Sequence, residues 1–135
     1  MQEDEFYTLV QQGCPVDSTD QARTATHAVL ETLAETVTGG EAEDVAAQLP
    51  DELAEVLDHA DHDGAEHDRE SFVSRVGDRL HSTDLDPAEA ERYADAVTDA
   101  LAESLTRGEL EDLTAQLGGG LDPLFQDVDV DRDRA

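Results

Sequence analysis

Residues 33–49 read LAETVTGGEAEDVAAQL and residues 101–117 read LAESLTRGELEDLTAQL, an ungapped match at an offset of 68 in which 11 of 17 positions are identical. Self-similarity of this density marks a duplicated structural unit. The match runs upstream, where Ala22, Ala25 and Val29 stand opposite Ala90, Tyr93 and Val97, and downstream to Leu53 and Leu121. In a chain of 135 residues each half alone is near the marginal size for burying a sufficient core, so the two copies are expected to pack on each other. A duplicated helical unit restricts the fold strongly and names no reaction.

The apolar positions recur every three to four residues, the period of an amphipathic helix. The first helix of copy one carries Phe6, Leu9 and Val10, matched in copy two by Phe72, Val73, Val76 and Leu80. Gly13, Cys14 and Pro15 end it. A long second helix follows, with Ala22, Ala25, Val29, Leu33 and Val37 in one copy and Ala90, Tyr93, Val97, Leu101 and Leu105 in the other. Ser18 and Gln21 have capping-box spacing at its start, and Asp86 followed by Pro87 caps its counterpart. Thr38 to Glu41 and Thr106 to Glu109 repeat the T-x-x-E spacing before a third helix, with Gly40 and Gly108 read as permitting a tight turn. Pro50 begins a fourth helix bearing Leu53, Val56 and Leu57, where copy two has Gly118, Gly119 and Gly120 before Leu121, Leu124 and Phe125.

The expected architecture is therefore all-α: two tandem four-helix repeats packed as one compact pseudo-two-fold helical domain over residues 1–135. Repeat one spans 4–57 and repeat two 70–125. Between them, residues 58–69 (DHADHDGAEHDR) form a linker with no apolar residue larger than alanine, and 126–135 form an acidic tail.

Charge narrows the function classes. Thirty-five Asp and Glu oppose eight basic residues, all arginine, for a formal net charge of -27. A lysine-free acidic exterior over an alanine-rich core suits a cytoplasm of molar salt, where the screening length falls to about 3 Å and carboxylate repulsion collapses. In dilute buffer that repulsion opposes the compact state. The same charge excludes nucleic acid and anionic membranes as direct ligands, because both are held by basic surface. The N-terminal segment has neither the basic nor the apolar region of a signal peptide, and no apolar run approaches the ~20 residues of a membrane span. With a single cysteine that cannot pair internally, the expected location is the cytoplasm.

The aromatic-led first helix, the capped long helix, and the run L-A-E-x-[VL]-[TS]-x-G-E-x-x-D-[VL]-x-x-Q-L, present twice, resemble the small helical family designated domain of unknown function 2267. The resemblance covers Phe6 to Leu57 and Phe72 to Phe125. The chain departs from it by having Gly118 where copy one has Pro50, and by its histidine-rich linker. The resemblance implies a duplicated all-helical fold and transfers no catalytic residue.

Two sets of side chains invite a functional reading. Glu41, Asp44, Glu109 and Asp112 form duplicated acidic pairs three residues apart, so each pair shares a helix face and offers oxygens to a hard cation. The same spacing also makes Glu41 and Glu109 capping residues and places Asp44 and Asp112 in a first turn, where the helix dipole favours acids; this structural reading is preferred. Gln48 and Gln116 are expected to bond the following turn. In the linker, His59, His62 and His67 with Asp63 are the metal-like group; His59 and His62, three apart, suit zinc or nickel, but a glycine-containing segment offers no rigid second shell. Asp127, Asp129, Asp131 and Asp133 imitate the opening of a calcium loop without its glycine and closing glutamate. Cys14 is read as a structural thiol, since acidic surroundings disfavour its thiolate. No phosphate loop, nucleophile elbow or H-E-x-x-H is present, and no cofactor is called for.

The expected function is a non-catalytic interaction or scaffold protein of a halophilic cytoplasm, binding another protein or a second copy of itself as a dimer. The alternative is binding of a small molecule or divalent metal through the linker histidines or the repeated acids.

Overall fold

The computed structural model describes residues 2–37, 39–59 and 69–117, with the side chains of 59, 116 and 117 excepted. Seven α-helices are described: α1 (Glu3–Gly13), α2 (Thr19–Ala34), α3 (Gly39–Ala46), α4 (Asp51–His59), α5 (Arg69–Leu80), α6 (Ala90–Ser104) and α7 (Arg107–Leu117). A 3-10 turn, Pro87–Glu89, precedes α6. No strand occurs among the described residues. The eighth helix expected at Leu121 to Phe125, and the tail, lie outside them.

Two helices organise the bundle. α2 packs against α1, α4, α5 and α6, while α6 packs against α1, α2 and α5. Nine residues of each are buried, on more than one side. Helices surrounded in this way need small side chains, and alanines do that work here: Ala22, Ala25, Ala28 and Ala34 on α2, and Ala90, Ala94, Ala96, Ala100 and Ala102 on α6. Thr26 and Thr32 are buried on α2 as well; each hydroxyl donates to the carbonyl four residues back, to Ala22 at 2.7 Å and Ala28 at 2.8 Å. The hydroxyls thereby enter the core without an unsatisfied group. α1 approaches α6 so closely that a Cβ on Gly13 would sit 3.0 Å from Ala96 Cβ.

The apolar positions expected inside are inside. Phe6, Val10, Val29, Leu33, Val37, Phe72, Val76, Leu80, Tyr93, Val97, Leu101 and Leu105 are all buried, as are Leu53 and Leu57 of α4 and Leu110 and Leu113 of α7. Leu9, Val56 and Val73 are partly buried against the same core. Cys14 is half-buried, its thiol donating to Val10 O at 3.2 Å, and burial pushes its pKa up to about 11.

Several local expectations need correction. Ser18 Oγ accepts from Gln21 N at 3.2 Å, but Gln21 Oε1 reaches past Ser18 to accept from Asp17 N at 2.7 Å, so the box closes one residue early. Asp86 caps a 3-10 turn rather than an α-helix, accepting from Ala88 N at 2.9 Å. Gly40 and Gly108 lie in the first turns of α3 and α7, neither with a left-handed φ, and a Cβ at either would meet open space. The turn therefore does not depend on glycine at these positions. The linker boundaries also move: Asp58 and His59 complete α4, and Arg69 opens α5. Arg69 stands at the electropositive end of its helix because Asp95 of α6 holds it, Nη2 to Oδ1 at 2.9 Å.

Candidate functional site

A concentration of polar groups lies where α3 meets α7, the contact between the two matching segments of sequence. Thr106 caps α7, its hydroxyl accepting from Glu109 N at 3.2 Å, which is one half of the expected box. The other half is absent. Thr106 N donates instead to Gln48 Oε1 at 2.8 Å, and Gln48 Nε2 reaches Thr106 Oγ1 at 3.3 Å. Gln48 thus bonds the helix start of the other copy rather than its own following turn, correcting the sequence reading. The side chain of Gln116, its counterpart, lies outside the described residues.

Released from that role, Glu109 turns toward Glu41. Glu41 is buried, 8% exposed, and one oxygen each from Glu41, Asp44 and Glu109 fall within 4.8 Å of one another. Asp112 completes the field at the margin, exposed on α7. Burial raises the Glu41 carboxyl from 4.5 to about 8, helped by its hydrogen bond to Glu109 and the negative charges of Glu109, Asp112 and Asp44. Glu109 Oε2 is buried and receives no N–H or hydroxyl donor among the described residues. The oxygen spacing alone would suit a hard cation, and burial with neighbouring negative charge favours the neutral form of Glu41.

A second polar cluster, which the sequence reading passed over, ties α1, α2 and α4 together. Tyr7 is buried, and its hydroxyl donates to Glu52 Oε2 at 2.7 Å. Arg23 Nε donates to the same carboxylate at 2.9 and 3.3 Å, its guanidinium lies 5.4 Å over the Tyr7 ring, and its Nη1 bonds Asp20 at 2.7 Å. The bond from Tyr7 holds the Glu52 carboxyl below its ordinary value, while burial and the same bond raise Tyr7. His27, half-buried on α2 within the field of Glu52 and Arg23, is lowered by burial. One signal was available: at the offset of 66 that aligns Phe6 with Phe72, Tyr7 faces Val73, so the copies differ at this position.

The linker candidates His62, Asp63 and His67 lie outside the described residues, as does the side chain of His59. No described helix is long and apolar enough to cross a membrane.

These features define an all-helical acidic bundle whose matching segments meet beside the buried side chain of Glu41. The chain belongs to the family described as uncharacterized conserved protein (DUF2267), whose model matches residues 3–124. No curated protein matches it.

Proposed function

We propose that this chain is a non-catalytic helical interaction or scaffold protein of a salt-rich cytoplasm, folded as two repeats about a pseudo-two-fold axis. The observation that carries the proposal is the use of its arginines. All six described arginines are paired with acids of the same chain: Arg23 with Asp20 and Glu52, Arg69 with Glu91 and Asp95, Arg75 with Glu35, Arg79 with Glu31 and Glu35, Arg92 with Glu89, and Arg107 with Glu111. Positive charge is spent on pairs within the chain, and most of the remaining described carboxylates, buried Glu41 apart, face outward. Such an exterior keeps the chain dispersed in concentrated salt and selects partners by charge.

The pairing of elements supports the two-fold reading. α2 packs on α6 and α3 on α7, so matching segments meet each other, and the contact of α1 with α6 has its counterpart in that of α5 with α2. Sedimentation and cross-linking in molar KCl test the proposal, alone and after capture from native extract. A stoichiometric protein partner or a dimer is the expected result; a monomer that captures nothing while folded refutes it.

A further inference from the structure

Two helix contacts that join the halves at matching positions are chemically unlike. At the offset of 66 that aligns Phe6 with Phe72, Leu9 and Gly13 of α1 stand opposite Arg75 and Arg79 of α5. α5 packs on α2 of the other half, and α1 packs on α6. Arg79 clamps α2: its Nη1 donates to Thr32 Oγ1 at 2.9 Å, and its Nη2 lies 3.0 Å from Glu35 Oε2. Arg75 Nη1 lies 3.5 Å from the other carboxylate oxygen. Glu35 is only 15% exposed, so its charge needs such compensation. On α6 the matching place is filled by close approach instead. Gly13 lies against Ala96, whose Cβ would be 3.0 Å from a Cβ on residue 13, and buried Ala100 stands where α2 has Thr32.

Each surface therefore rejects a copy of its own half. Were two second halves to pair, Arg79 would enter the place of Gly13 on α6, where even a Cβ is crowded by Ala96 and the hydroxyl of Thr32 is replaced by Ala100. Were two first halves to pair, Gly13 would stand where Arg79 stands on α2, and the carboxylate of Glu35 would lose both arginines within a helix contact. Selectivity of this kind lies in the wrong pairings being penalised as much as in the right one being favoured. We infer that Arg79 and Gly13 are keys that admit only unlike halves to this contact, and that a second copy of this chain joins the first by exchanging halves.

In an exchanged pair the contacts of α1 with α6, of α2 with α5 and α6, and of α3 with α7 recur between copies, so exchange sacrifices none of them. The bonds from Gln48 to Thr106 recur with them. Exchange deepens the dimer form of the scaffold proposal and rests on it, whereas the keys act within a single chain as well. A chain that captures another protein but never exchanges would fail this inference alone, and one that exchanges only with its own copies would satisfy it.

Two full-length variants test it in molar KCl. Arg79→Glu sets like charges against Glu35 within its own chain, and Glu35→Arg sets them against Arg79; each should melt about 10 °C below the unaltered chain. Unfolded and refolded together in equal amounts, the two should form a one-to-one dimer by native mass spectrometry, with the melt restored. Exchange then pairs Arg79 with Glu35 at one contact and the two reversed charges at the other. Arg79→Glu refolded with the unaltered chain should show no such recovery. Absence of the mixed dimer would overturn the inference, as would a dimer of either variant alone, recovery with the unaltered chain, or single variants that melt like it. If either variant fails to fold alone, the mixture still decides, since the matched contacts exist only in the exchanged pair.

Discussion

Replacing Tyr7 by phenylalanine removes one hydroxyl from an otherwise unchanged core, and the structure says what should follow. The ring is 1% exposed and stays in place; only the 2.7 Å bond to Glu52 is lost. A hydrogen bond to a charged group contributes about 1.5–3 kcal/mol. Glu52 is 30% exposed and keeps Arg23 at 2.9 Å, so it is not stranded, and a value around the bottom of that range applies: about 1–2 kcal/mol. With an unfolding entropy of about 2.1 cal/mol/K per residue, this corresponds to a fall in Tm of roughly 4–7 °C. Thermal melts by circular dichroism at molar KCl measure it, within a double-mutant cycle using Glu52→Gln. Because the Glu52 carboxyl lies below its ordinary 4.5 when folded, its contribution is present above that pH and lost as pH falls through the lower folded value. The Tyr7→Phe deficit should accordingly shrink on acidification. A coupling below about 0.3 kcal/mol, or a deficit independent of pH, would refute the claim that this cluster fastens α4 to α1.

Other perturbations separate the fold's components. Gly40→Ala and Gly108→Ala should each raise stability by about 0.5–1 kcal/mol, because the backbone there is helical and the space open; a lower melting point for either would contradict that geometry. Leu33→Asp places a charge in the buried last turn of α2 and should abolish the cooperative melt even in high salt, where a retained transition would remove Leu33 from the core. In about 0.1 M KCl the chain should melt lower and lose helix relative to about 3 M, and equal midpoints would end the halophilic reading. Glu41 is raised when folded, so its contribution is greatest below pH 4.5 and is lost as pH rises through about 8; a melt profile flat across that window, in chain and Glu41→Gln alike, would contradict the assignment.

The sequence repeat and its helical period were enough to assign the core. Leu33 and Leu101, Val29 and Val97, and Val45 and Leu113 are buried because apolar residues recurring every three to four positions line a helix face that packs inward. The capping motifs were legible only in part. Ser18 and Thr106 do cap their helices, since a hydroxyl and an amide three residues apart in one chain segment meet whatever else is nearby. Their reciprocal partners were misread. Gln21 and Glu109 are long enough to choose between local and distant groups, and the distant environment decided.

The same division runs through the whole molecule. Local interactions determined by themselves which residues are helical, where most helices begin and which stripe turns inward, because those forces act over one turn of chain. The charge balance, from which the strong-salt proposal comes, was likewise legible, because net charge is a sum over residues and needs no coordinates. Only the tertiary structure decided that Gln48 would clasp Thr106 across 58 positions, that Tyr7 would meet Glu52 across 45, and that Glu41 would face Glu109. Those pairings depend on how α3 lies on α7 and α1 near α4, contacts between segments far apart in the chain. An acid that reads as one more surface carboxylate in the sequence is buried once α3 lies on α7.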